Sequence, residues 1–181
     1  MSVSPVRVDG TPARTFDALL DRAALDRAYR TARLILLDAA DAEDATHDAV
    51  LAAWRHFGEL RDPGRFDAWF GRILVNSCRD RLRERPRRPV PLDVVEAFTQ
   101  SGAAADPAEA IATHDQLRVA FRSLSPEQRE VIALRYFADL TVDQIADRTG
   151  ARSGTVKSRL HHAIRRLRES VGSSDNGRFD R

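Results

Sequence analysis

Helix start signals recur along this chain, and no stretch alternates apolar and polar residues long enough to make a strand. Ser125-Pro126-Glu127-Gln128 supplies an N-cap hydroxyl, a proline at the first helical position and a capping-box glutamine. Thr141-Val142-Asp143-Gln144 repeats the box, and Asp106-Pro107-Ala108-Glu109 is an acidic variant of it. Apolar residues return at helical spacing through two blocks, from about Phe16 to Arg85 and from about Asp106 to Val171. The expected fold is all-α: two small helical domains joined by an extended, proline-containing linker. The divisions read as a disordered N-terminus over 1–12, a first domain over 13–85, a linker over 86–105, a second domain over 106–171 and a disordered tail over 172–181. Pro86, Pro89, Pro91 and Gly102 interrupt any period in the linker. Whether the two domains pack on each other is open at this level.

Composition removes several functional classes. Cys78 is the only cysteine, so neither a disulfide framework nor a Cys-rich zinc site is available. A reducing cytoplasm is the expected location. No apolar run approaches the roughly 20 residues of a membrane span. Met1 to Thr11 lacks the basic-then-apolar order of a signal peptide. Gly-rich phosphate loops, HExxH and GxSxG are absent. No catalytic residue, cofactor or metal site is expected, and the chain is not expected to be an enzyme.

The net charge of +2 conceals an uneven distribution. Asp38 to Trp54 carries Asp38, Asp41, Glu43, Asp44 and Asp48 and no Lys or Arg. Arg79 to Arg88 and Ala151 to Arg168 are strongly basic, the latter without a single acid. Partners of opposite sign are implied. Of the 29 basic residues, all but Lys157 are arginine. Scarce Ile, Asn and Lys beside abundant Ala, Arg and Asp fit a GC-rich genome, so codon usage explains part of that excess. Arginine also suits phosphate and base-edge contacts. Position must separate the two readings.

The second block contains a helix-turn-helix pattern. Leu140, Val142, Ile145 and Ala146 form the inner stripe of a short helix, Gly150 closes it, and Ser153 is expected to cap the next. Val156, Leu160, Ala163 and Leu167 then fall on one narrow arc at roughly 100° per residue. Away from that stripe lie Thr155, Lys157, Ser158, Arg159, His161, His162, Arg165, Arg166 and Arg168. Short residues first and donors after is what a helix entering the major groove requires. A solvated arginine face on an ordinary hairpin is the plainer alternative. His161 and His162 point about 100° apart and have no second ligand pair, which disfavours a metal.

The first block carries two further faces. Asp44 and Asp48 share one side of a helix, and Val50, Trp54 and Phe57 another. The acids either serve the helix dipole or offer a docking surface to a basic protein. Arg65, Arg72, Asn76, Arg79 and Arg83 fall within roughly 60° on a second helix, with Phe66 and Trp69 beside them. Cations that follow phosphates, with rings that stack on bases, make a single-strand track. Asn76 can read a base edge, and the turn Arg61-Asp62-Pro63-Gly64 can face a flipped base. Alternatively the rings are core and the arginines merely solvated.

Taken together, the motifs resemble the extracytoplasmic-function (ECF) group of sigma-70-type RNA polymerase sigma factors. The resemblance rests on Ala42-Glu43-Asp44-Ala45 with Trp54-Arg55, and on Phe66-Asp67-Ala68-Trp69-Phe70 with Ile73, Asn76 and Asp80. In the second block it rests on Leu124-Ser125-Pro126-Glu127-Gln128-Arg129-Glu130-Val131, Ile145-Ala146 and Gly154-Thr155-Val156-Lys157-Ser158-Arg159-Leu160. It implies a sigma region two bundle followed by a sigma region four helix-turn-helix. Core polymerase would dock its β′ clamp helices on the helix of Asp41, Asp44, His47 and Asp48. Arg65, Phe66, Trp69, Arg72, Asn76 and Arg79 would read the minus-ten element as single strand. Arg152, Ser153, Thr155, Lys157, Ser158, Arg159, His161, His162 and Arg165 would meet the minus-thirty-five duplex, with the β flap holding that domain. An anti-sigma factor is the implied regulator. A stand-alone helix-turn-helix repressor would have no need of the Arg65–Arg83 stripe, and an adaptor that avoids DNA is opposed by the acid-free helix.

Overall fold

A computed structural model describes residues 12–84 and 119–175. In the first block, α1 (Pro12–Leu19), α2 (Arg22–Leu36) and α3 (Ala39–His56) lead through short 3-10 turns at Phe57–Glu59 and Pro63–Arg65 into α4 (Phe66–Glu84). In the second, a helical stretch at 119–123 precedes α5 (Pro126–Tyr136), α6 (Val142–Thr149) and α7 (Ser153–Asp175). The described residues are helical and contain no strand. The linker over 86–105 and the Asp106 box lie outside the described residues. The expected disordered N-terminus does too, except for Pro12, which opens α1. The expected disorder from residue 172 needs correction, because α7 continues through residues 172–175.

Local chemistry sets the helix ends. Ser125 Oγ accepts from the Gln128 amide at 3.3 Å while Gln128 Oε1 accepts from the Ser125 amide at 3.0 Å. Thr141 and Gln144 make the same reciprocal pair at 3.3 and 2.8 Å. Each box satisfies two amides that the first helical turn leaves without partners. Asp21 and Asp38 cap α2 and α3. Gly150 (φ 69°) ends α6 in the left-handed region, as its position predicts. Leu37 does the same after α2 with φ 56°, although it is a leucine and almost fully buried. Its side chain offsets backbone strain by filling the core.

The α3 seam is made of alanines. Ala42, Ala45, Ala49 and Ala53 are fully buried, which lets α2 and α4 approach closely. The expected apolar face of Val50, Trp54 and Phe57 is a flank instead. Trp54 remains 47% exposed, held at one edge by Phe16. Leu34, Ile35 and Leu36 of α2 are buried in the same core as Leu74, Val75 and Cys78 of α4. In the second block Val131, Leu134, Ile145, Val156, Leu160 and Ala163 form the helix-turn-helix core.

The two blocks share a single hydrophobic cluster. α5 packs on α2, and α6 lies across α4. The α6 crossing passes Gly71, where an added Cβ would stand 2.6 Å from Arg148 Nη1. The two helical domains therefore form one body in this arrangement.

Candidate nucleic-acid interface

The 3-10 turn ahead of α4 is fixed by Asp62, whose Oδ1 accepts from the Gly64 amide at 2.9 Å. It delivers Arg65 to solvent at the head of α4. Arg72 and Asn76 follow on the exposed side of that helix, with Trp69 half-buried between them and Arg65. Arg61, Arg65, Trp69 and Arg72 line a cleft of about 360 Å³, closed on its far side by Gln144, Asp147 and Arg148 of α6. Arg65, Arg72 and Asn76 are thus exposed along one side of α4, Arg79 is half-buried, and one flank of this row is already covered.

The coverage is specific. Arg72 Nη2 donates to the Asp147 carbonyl at 2.8 Å, and Arg79 Nη1 donates to the Thr149 carbonyl at 2.9 Å. Arg79 Nη2 also meets both carboxylate oxygens of Glu130, at 2.8 and 3.2 Å. The Glu130 side chain is only 4% exposed, and its burial raises the carboxyl above the usual range despite the opposing pull of Arg79. Nearby Cys78 is pushed up to about 12, first by burial and then by the Glu130 charge. It is an inert thiol at neutral pH.

Phe66 requires correction as a strand contact. It is 2% exposed, stacked on Phe70 at 5.7 Å with an interplanar angle of 5°, and edge-on to Phe16 at 5.9 Å. Its ring supports Trp69, whose centroid lies 5.9 Å away, and has no face left for a base.

On α7 the outward residues Thr155, Lys157, Ser158, His161, His162 and Arg165 are exposed, as is Arg152 just before it. Arg159 is half-buried beside Glu127 and Glu130 and lines a second cleft with Arg79 and Arg83. Ser153 is not the cap. The Val156 amide bonds to the Arg152 carbonyl, so the helix has already begun, and Ser153 Oγ donates to Asp143 Oδ1 at 2.8 Å. That bond ties the start of α7 to α6. The His161 and His162 rings meet edge to face at 5.6 Å. Among the described residues no group of His, Cys, Asp and Glu has the makings of a metal site, and no helix is long and apolar enough to cross a membrane.

On α3, Asp44, His47 and Asp48 are exposed, while Asp41 sits half-buried in the first turn. Arg81 of α4 bridges the pair, with Nη1 3.1 Å from Asp44 Oδ2 and Nη2 2.6 Å from Asp48 Oδ2. Leu51 and Trp54 extend this surface with exposed apolar area. Arg81, Glu130, Thr149 and the Gly71–Arg148 contact have no signal within any one helix, because their partners lie 33 or more residues away.

Comparison with known proteins matches both helical blocks. The sigma-70 region 2 family matches residues 20–88, and the sigma-70 region 4 family matches residues 114–167. The chain is 37% identical over 173 residues to the ECF RNA polymerase sigma factor SigL of Mycobacterium tuberculosis, covering 90% of this chain and 93% of that one. It is 30% identical over 154 residues to the RNA polymerase sigma-E factor of Streptomyces coelicolor, covering 85% of each. Among solved structures it resembles the sigma factor RpoE of Bartonella quintana, crystallised with the anti-sigma factor NepR. That likeness has a TM-score of 0.66 and 26% identity over 88% of this chain and 98% of the other.

Proposed function

The chain belongs to the ECF group of sigma-70-type RNA polymerase sigma factors, and we propose how its three surfaces divide the work of a sigma factor. As a sigma factor it binds core RNA polymerase and directs promoter-specific initiation. It acts as a non-enzymatic subunit in the cytoplasm. Asp44, His47 and Asp48, with Asp41 at their base, dock the β′ clamp helices, and the second domain rests on the β flap. Arg65, Trp69, Arg72, Asn76 and Arg79 hold the minus-ten element as single strand. Cations follow the phosphates, the Trp69 ring stacks, and the Asn76 amide meets a base edge. Arg152, Thr155, Lys157, Ser158, Arg159, His161, His162 and Arg165 read the minus-thirty-five element in the major groove, with Ser153 tying that helix to α6. The domains divide near residues 85 and 106. Control by an anti-sigma factor is carried over from the Bartonella relative.

The observation that carries this reading is the presence of two basic faces of different design in one chain. The face on α7 is basic and free of acid as far as Arg168, with Glu169 beyond it 3.6 Å from Arg165, and suits duplex. The face on α4 is interleaved with an aromatic ring, suited to an unpaired strand. Transcription with purified core polymerase on a pool of promoter fragments tests it. Initiation should depend on added protein, and initiation independent of it would overturn the assignment. Within the scheme, Asn76→Ala or Trp69→Ala should reduce promoter opening more than closed-complex binding. Equal loss of both would remove the single-strand role.

A further inference from the structure

We propose that Arg81 is a positioning residue of the core-polymerase dock, whose guanidinium fork holds the Asp44 and Asp48 carboxylates in register for the basic groups of the partner. The proposal rests on the reading of α3 as the docking helix. Three observations carry it. First, the fork gives one nitrogen to each carboxylate. Arg81 Nη1 lies 3.1 Å from Asp44 Oδ2, and Nη2 lies 2.6 Å from Asp48 Oδ2. Both bonds use Oδ2, and no hydrogen bond among the described residues takes Oδ1 of either aspartate. Each carboxylate therefore keeps an oxygen for an incoming donor, and docking does not have to displace Arg81.

Second, the anchor is firmer than what it holds. The Arg81 side chain is 29% exposed, against 58% and 50% for those of Asp44 and Asp48. Ala45 and Ala49, the residues that follow the two aspartates, are fully buried, so α3 is packed tightly right beside the acids. Like charges one turn apart on a helix repel. A cation shared between them keeps the pair together.

Third, a simpler role does not require this geometry. A cation in the last turn of a helix can serve the dipole from solvent. Arg83, also in the last turn of α4, is 74% exposed and pairs at 2.7 Å with Asp80 of its own helix. Arg81 instead crosses to another helix, 33 and 37 residues back in sequence, and takes both acids at once. Two aligned carboxylates spare the partner the cost of ordering them on binding. Arg81 also removes one negative charge from the patch, which by itself weakens attraction to a basic partner. The two effects have opposite signs, so they are separable.

Binding kinetics of the full-length chain with purified core polymerase test this. Arg81→Met keeps most of the stem and removes the fork. Charge alone predicts tighter binding for it, whereas positioning predicts about fivefold or greater weakening, carried by faster dissociation. Arg81→Lys keeps the charge but offers one centre in place of two, and should also weaken binding. In a background with Asp44→Asn and Asp48→Asn, Arg81→Met should change nothing further, because no carboxylates remain to be aligned. Circular dichroism and thermal melting check that each variant is folded, and Arg81→Lys carries the test should Arg81→Met not fold. Unchanged or tighter binding by Arg81→Met, or parental affinity in Arg81→Lys, would overturn the positioning role. An equal loss in the doubly substituted background would assign the effect to α3–α4 packing and overturn that role as well. If Asp44→Asn with Asp48→Asn binds core polymerase as the parent does, the docking reading itself falls.

Discussion

Phe66 separates a core role from a contact role more sharply than any other residue of the first domain. Its ring is 2% exposed and is surrounded by Phe16, Phe57, Trp69 and Phe70, with centroids between 5.7 and 6.4 Å. Phe66→Ala removes a fully buried ring from an aromatic cluster, a change that costs about 3–5 kcal/mol. For a chain of this length each kcal/mol moves the melting midpoint by about 2–4 °C, so a fall of roughly 6–20 °C is expected. Phe66→Leu keeps most of the volume and should cost about 1–1.5 kcal/mol. Calorimetry gives the midpoints, and anisotropy with a single-stranded oligonucleotide gives the binding. Phe66→Leu should melt slightly lower than the parent and bind the strand as well as it does. A Phe66→Leu protein with unchanged melting and severalfold weaker strand binding would refute the reasoning, since the ring would then be touching bases.

Three further outcomes follow from the local chemistry. Ser125→Ala removes one half of a capping box and should lower stability by about 1 kcal/mol, read from the denaturant midpoint; an unchanged midpoint would show that the cap contributes nothing here. Cys78 should resist iodoacetamide at pH 8 in the folded chain and react on unfolding. With its thiol raised from 9.0 to about 12, the folded state holds a proton that the unfolded state releases, so stability should fall as pH rises through that window. Cys78→Ala should lack that part of the slope. Arg159→Ala should reduce discrimination at the minus-thirty-five element by roughly 1–3 kcal/mol if the fork is bidentate to a base, and unchanged sequence preference would make it a phosphate contact.

The features legible in the sequence are those whose causes lie within a few residues of each other. Both capping boxes form as read because donor and acceptor are three positions apart. Gly150 is left-handed where the helix has to stop, and Val156, Leu160 and Ala163 are buried on the arc their spacing defines. The misreadings involve distant partners. Phe66 falls on the face adjoining the arginine row, yet its neighbours Phe16 and Phe57 arrive from other elements. Ser153 looks like a cap until Asp143 of α6 is present to accept its hydroxyl. Arg81 gives no hint that it bridges Asp44 and Asp48, because that contact depends on the close approach of α3 and α4. The alanine seam that permits the approach has too weak a periodic signal to stand out from a composition already rich in alanine.

The difference in exposure between α4 and α7 has a kinetic consequence. A protein that seeks promoters meets many unpaired strands, nascent transcripts among them, and a permanently open arginine track would bind them by charge alone. If α4 carries the strand track proposed above, α6 shields Arg72 and Arg79 from such traps, while Thr155, Lys157, Ser158 and His161 of α7 remain exposed to duplex. On that reading the packing of one domain on the other would filter encounters, favouring double helix until an unpaired strand is at hand.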